Sequence, residues 1–202
     1  MTTVPTEVMD QEAEATEAPR RADAVRNRER VIKAAEEVFG EHGLEAGIPE
    51  IAEKAGVGKG TVYRNFETKE DLVSAVLASR LARFNDMTVA AIDQDDAWQA
   101  FRDLLRSAIK GKMQSRNYLI GLNHQGKSEL LEYERKRSKV LLGQLMDRAK
   151  KQGTMRPDVE AGDVSIIFGG ICRVLNEQGE KDPNAWLRQA DLVIDAFRVP
   201  AA

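Results

Sequence analysis

IPEIAEKAGVGKGTVYRNF, residues 48–66, is the stretch whose reading decides how the other residues of this 202-residue chain are placed. It holds two short amphipathic segments, 49–55 and 59–66, separated by Gly56-Val57-Gly58. Pro49 suits the first turn of a helix, because the N–H it lacks would have had no partner there. Ile51, Ala52 and Ala55 then recur on one helical face. Gly56 supplies the residue type that adopts a left-handed helix stop at least cost. Val57 is the apolar plug of the turn, and Val62 and Phe66, four apart, return the second segment to the same core. Two short helices joined by a glycine turn of this length make a helix-turn-helix.

The remaining side chains of the second helix carry the functional signal. Lys59, Thr61, Tyr63, Arg64 and Asn65 alternate with the inward Val62 and Phe66, so the spacing turns them away from the core. An ammonium, a hydroxyl, a phenol, a guanidinium and an amide form a donor-rich face suited to phosphates and base edges in a major groove. Gly58 and Gly60 leave the start of this helix bare, so that backbone N–H groups can approach a phosphate. A solvated helical hairpin has the same periodicity, and spacing alone does not separate the two.

Residues 28–77 resemble the DNA-binding domain of the TetR family of bacterial transcriptional regulators. The resemblance is carried by Ala35, Val38, Phe39, Gly43 and Leu44 in and after the first helix. It continues through Ile51-Ala52, Ala55-Gly56-Val57-Gly58, Gly60-Thr61-Val62-Tyr63, Phe66, Lys69 and Leu72. Where the family often has Thr-Thr before the second helix, this chain has Ala46-Gly47-Ile48-Pro49, and Pro49 supplies the helix start. The resemblance implies a sequence-specific DNA-binding regulator and assigns Lys69 a phosphate contact.

The formal net charge of −3 conceals an uneven distribution. Residues 1–20 hold five acids and one base, so the rest of the chain carries a net +1. Local charge, more than the total, steers a protein onto DNA. Arg20, Arg21, Arg26, Arg28 and Arg30 cluster at the first helix, and Arg26 and Arg28 are read as further phosphate contacts. The single cysteine fits a reducing compartment. The acidic N-terminus lacks a signal-peptide layout, and no apolar run is long enough to span a bilayer. We therefore expect a cytoplasmic protein with no membrane segment.

No strand-like alternation appears, so the expected fold is all-α. Residues 1–20 are polar enough to be a disordered acidic tail. A helix-turn-helix DNA-binding domain then occupies 21–66, its first helix running from about Asp23 to Glu41 with Val31, Ala35, Val38 and Phe39 inward. Thr68 and Asp71 form a capping box for a connecting helix whose first part covers 68–86. A ligand-binding and dimerisation domain follows over 87–202. Within it, Asp93 to Asp96 precede a helix carrying Trp98, Phe101, Leu105, Ala108 and Ile109. A short helix is expected near Asn117 to Leu122. Ser128 caps a long helix with Leu130, Leu131, Val140, Leu141, Leu142, Leu145 and Met146 on its apolar side. A nearly all-apolar helix around 164–172 and a last one from Asp182-Pro183 complete the chain.

A terminal helix pair with this apolar surplus is suited to pairing with a second copy as a four-helix bundle. Ile167, Ile171, Leu175, Leu192 and Phe197 are the interface candidates. The resemblance also implies homodimerisation, a palindromic operator of double-stranded DNA and a largely apolar small-molecule effector. Met87, Trp98, Phe101, Met113, Tyr118, Asn123, His124, Phe168 and Cys172 are the candidate lining of its cavity. Catalysis has no constellation to rest on: His42 and His124 lack metal-site spacing, and no nucleophile elbow or phosphate loop occurs. No cofactor is expected. The leading reading is a homodimeric repressor released by an effector. A DNA binder without small-molecule input and a protein-interaction module that no longer binds DNA remain the alternatives.

Overall fold

A computed structural model describes the backbone of residues 6–113 and 128–200, with side chains over 23–110 and 128–200. Among these residues the protein is all-α, with one isolated antiparallel bridge between Met155 and Arg198. The helices are α1 (Thr6–His42), α2 (Ile48–Ala55), α3 (Lys59–Asn65), α4 (Lys69–Ile92), α5 (Ala97–Met113), α6 (Glu129–Lys151), α7 (Ala161–Glu177) and α8 (Pro183–Ala196).

The first departure from expectation is at the N-terminus. Residues 6–20, read above as a disordered tail, continue α1 as helix, so that α1 begins at Thr6 and not near Asp23. Glu, Ala and Arg, all good helix formers, make up much of this stretch, and local propensity opposes the compositional signal for disorder. Pro19 lies inside it, where it removes one backbone donor from the helix ladder.

Two apolar cores follow from two sets of periodicities. The N-terminal core gathers Val31, Ala35, Val38 and Phe39 of α1, Ile51, Ala52 and Ala55 of α2, Val62 of α3, Phe66, and Leu72, Val73 and Val76 of α4. α4 begins on the expected capping box: Thr68 Oγ1 accepts from the Asp71 N–H at 3.1 Å, and Asp71 Oδ2 accepts from the Thr68 N–H at 3.0 Å. It runs unbroken to Ile92, leaving the first core and entering the second. Glu36 of α1 ties it on the way, accepting from Arg80 Nε at 2.9 Å and from Arg83 Nη2 at 2.5 and 2.7 Å.

The second core joins α5, α6, α7 and α8 around Phe101, Ile109, Leu145, Met146, Phe168 and Ile194. Ser128 caps α6 as expected, and Asp182 with Pro183 opens α8. On α6 the buried stripe is Leu131, Leu142, Leu145, Met146 and Ala149, whereas Leu130 and Val140 are exposed. Those two were expected inward, but at 100° per residue they fall away from the stripe that faces α4 and α5. On α7, Val164, Phe168, Cys172 and Leu175 share the inner face and Ile166 is 75% exposed on the other. The short helix expected near Asn117 to Leu122 lies outside the described residues.

α4 and α6 are also joined by buried polar groups. Asn85 is 0% exposed and Glu134 6%. Asn85 Nδ2 donates to the Glu134 carbonyl at 3.1 Å and to Glu134 Oε2 at 2.7 Å, while Ser138 Oγ donates to Asn85 Oδ1 at 2.5 Å. Arg137 bridges outward from this group, reaching Glu134 Oε2 at 3.5 Å and Asp86 Oδ1 at 3.1 Å. Burying such groups is tolerable because each meets a partner.

Candidate nucleic-acid interface

The turn between α2 and α3 is built by local chemistry. Gly56 sits at φ 64° and ψ 38°, the left-handed region, at the C-cap of α2. Its N–H donates to Glu53 O at 3.0 Å and that of Val57 to Ala52 O at 3.0 Å, the paired bonds of a Schellman stop. Gly58 then returns to extended backbone at φ −72°, and its carbonyl accepts from the Thr61 N–H at 2.8 Å to start α3. A Cβ at Gly58 or Gly60 would meet nothing within 4 Å, so the backbone there is uncovered.

α3 buries Val62 completely, with Phe66 buried just beyond its end. Lys59, Tyr63 and Arg64 are exposed, Tyr63 at 52%. Arg64 lies along its own helix, with Nε donating to Gly60 O at 3.2 Å and Nη2 to Thr61 Oγ1 at 3.1 Å. Thr61 and Asn65 lie outside the core and are half-buried. Asn65 Nδ2 donates to Thr61 O at 2.8 Å, because a short polar side chain near a helix end competes for nearby carbonyls. Lys69, half-buried, opens α4 directly after the Thr68 cap.

Arginines of α1 flank this hairpin. Arg26 is exposed and pairs with Asp23. The Arg28 guanidinium lies 4.5 Å from the centroid of the Phe66 ring. Arg30 Nη2 donates to Ala55 O at 2.7 Å and reaches Gly56 O at 3.5 Å. Lys54 of α2 faces α1, with Nζ 3.3 Å from Glu37 Oε2 and 3.8 Å from Glu41 Oε1. The hydrogen bond to Glu37, helped by the Glu41 charge, raises its pKa. Apart from the Arg26–Asp23 pair, these links join residues of different helices or their caps and have no local sequence signal. The Glu36–Arg80–Arg83 and Asn85–Glu134 groups escaped the sequence reading for the same reason.

The other candidate residues divide. Trp98, Phe101, Phe168 and Cys172 come together in the second core, the Trp98 and Phe101 rings 5.9 Å apart. Met87 does not join them and is exposed on α4. The side chain of Met113 and residues Tyr118, Asn123 and His124 lie outside the described set. Of the interface candidates, Leu175 and Phe197 are already buried in the chain's own core, Phe197 edge-on to Phe101 at 6.3 Å. They face inward because each follows the helical repeat of the core and not that of the outer face. Ile167 and Leu192 are exposed and Ile171 is half-buried. Among the described residues, no three His, Cys, Asp or Glu side chains gather where they could hold a metal ion, and no helix is long and apolar enough to cross a membrane.

Comparison with known proteins meets the same division of the chain. Residues 31–76 match the model for bacterial regulatory proteins of the tetR family. Residues 95–199 match the C-terminal domain of SbtR-like transcriptional regulators. TtgW of Pseudomonas putida, an uncharacterized HTH-type transcriptional regulator, is 35% identical over 109 residues, covering 54% of this chain and 81% of that protein. The TetR transcriptional regulator SCO0520 of Streptomyces coelicolor superposes with a TM-score of 0.65 at 30% identity, covering 86% of this chain and 99% of that one. The regulator FadR of Bacillus subtilis, solved in complex with stearoyl-CoA, shares the fold with a TM-score of 0.66 at 19% identity, over 86% of this chain and 98% of its own. With residues 31–76 and 95–199 both matched, this protein belongs to the TetR family of helix-turn-helix transcriptional regulators.

Proposed function

We propose that this regulator acts as a homodimeric repressor that holds a palindromic operator and is released by a small, largely apolar effector. The observation that carries the DNA-reading part is the outer face of α3, where Lys59, Tyr63 and Arg64 stand exposed over a buried Val62. Lys59 and Lys69 contact phosphates, and Tyr63 and Arg64 reach the groove. Thr61 and Asn65 take part after releasing their bonds within α3. Two-fold pairing sets two such helices about one turn of DNA apart.

Support for the dimer comes from α7 and α8, which leave Ile166, Ile167, Val174 and Leu192 exposed. These residues, with Ile171, form the interface, and Leu175 and Phe197 support it from beneath. Support for an effector comes from α4, which spans both cores, and from the stearoyl-CoA complex of the Bacillus subtilis FadR, a protein of the same fold. A ligand that prefers a second position of α4 by ~1.4 kcal/mol shifts operator occupancy about tenfold.

Selection of bound fragments from genomic DNA tests the reading, followed by gel shifts on the selected site. Lys59→Ala and Tyr63→Ala should weaken binding at least tenfold, with sedimentation still showing a dimer. Unchanged affinity and salt dependence in both would place the reading surface elsewhere. A wild-type chain that enriches no DNA favours the protein-interaction module.

A further inference from the structure

Arg28 and Arg30 of α1 invite assignment as phosphate ligands, yet their geometry shows them otherwise engaged. α3 has seven residues and buries a single side chain, Val62. A helix that short does not hold its own orientation, which tertiary contacts at its flanks must supply. The contact before α3 is Arg30. The Schellman bonds satisfy the Ala52 and Glu53 carbonyls, and Arg30 Nη2 takes that of the last residue of α2, Ala55 O, at 2.7 Å. A cation there also meets the negative end of the α2 dipole. The contact after α3 is Arg28, whose guanidinium lies 4.5 Å from the Phe66 ring centroid. Arg28 and Arg30 are two residues apart on α1, so one turn of that helix grips the entry and the exit of α3. The fit at the entry is close: a Cβ on Gly56 would lie 2.9 Å from Arg30 Nη2.

We propose that Arg30 and Arg28 are positioning residues for DNA reading, which set the angle of α3 and hence discrimination between operator and other DNA, and are not phosphate ligands. The proposal rests on the DNA-binding function given above. It departs from the reading of Arg28 as a phosphate contact, leaving Arg26 in that role.

Salt dependence separates the two roles. A phosphate ligand contributes about 0.9 to the slope of log K against log salt, and its loss weakens binding to every duplex. A positioning residue leaves that slope alone and its loss weakens operator binding selectively. The test uses the full chain, the operator recovered by genomic selection and a scrambled duplex of equal length, titrated over a range of salt. Arg30→Met, Arg28→Leu and Phe66→Leu are compared with wild type. Phe66→Leu keeps an apolar core residue while removing the ring, and alters no charge.

The expected result is an operator affinity lower by about tenfold in each variant, with scrambled-duplex affinity and salt slope unchanged. Loss of about 0.9 in slope, with both duplexes weakened alike, overturns the assignment in favour of phosphate contact. Undiminished operator affinity in Phe66→Leu and Arg30→Met overturns it as well. A wild-type chain that selects no DNA overturns the DNA-binding function itself, and the positioning role falls with it.

Discussion

Replacing Asn85 by Asp changes one atom of the link between α4 and α6, and the structure sets the size of the effect. Asn85 Nδ2 donates to Glu134 Oε2 at 2.7 Å where both residues are buried. With Asp there, an acceptor faces a carboxylate at the same distance. Two like charges about 3 Å apart repel by ~5 kcal/mol at an effective dielectric constant of ~20. Loss of the charge-assisted hydrogen bond adds about 1.5–3 kcal/mol. Side-chain relaxation and Arg137, 3.5 Å from the same carboxylate oxygen, offset part of this. The net expectation is a destabilisation of about 3–5 kcal/mol, a large share of the ~5–15 kcal/mol that holds a typical domain together. Urea unfolding at neutral pH measures it. Adding Glu134→Gln reverses donor and acceptor, so the double variant should recover at least ~2 kcal/mol. A double-mutant cycle isolates that coupling from the individual losses. If Asn85→Asp stays within ~1 kcal/mol of wild type, or the second substitution restores nothing, the two helices are not held together by this pair.

Thr68→Ala removes the hydroxyl that accepts from the Asp71 N–H and should cost about 1 kcal/mol in thermal or urea unfolding, as loss of an N-cap does. Asp191 joins α8 to α5: both its carboxylate oxygens accept from Arg106 Nη1, Arg102 Nη2 lies 3.5 Å from Oδ1, and the Arg106 hydrogen bonds hold its pKa below the ordinary 3.8. A lowered folded-state pKa means the stabilisation is fully present above the unfolded value and is lost as pH falls through the folded one. Asp191→Asn should therefore be less stable than wild type at pH 6, and the gap should close as the pH is taken below 3.8 in urea melts. Lys59→Gln, at an exposed side chain, should leave stability within ~0.5 kcal/mol and reduce the salt slope of operator binding by about 0.9.

What residue order alone determined is local. The Schellman turn at Gly56, the Thr68–Asp71 box, the Ser128 and Asp182 caps and the buried pair Val62 and Phe66 involve residues within a few positions of one another. Caps, glycine conformation and helical period act over that range, which is why the helix-turn-helix and its exposed face were legible. Over residues 6–20 the disordered reading departs from the helix at the same scale, because acid-rich composition and helix propensity point opposite ways there. The tertiary structure alone decided which apolar side of each long helix turns inward, burying Leu175 and Phe197 while exposing Leu130 and Val140. It also decided which charges are committed: Arg30 on Ala55, Glu36 between Arg80 and Arg83, and Asn85 on Glu134. These partners lie 25 to 49 residues apart. At such separations a hydrogen bond depends on where the packed helices bring two side chains, which no local pattern encodes.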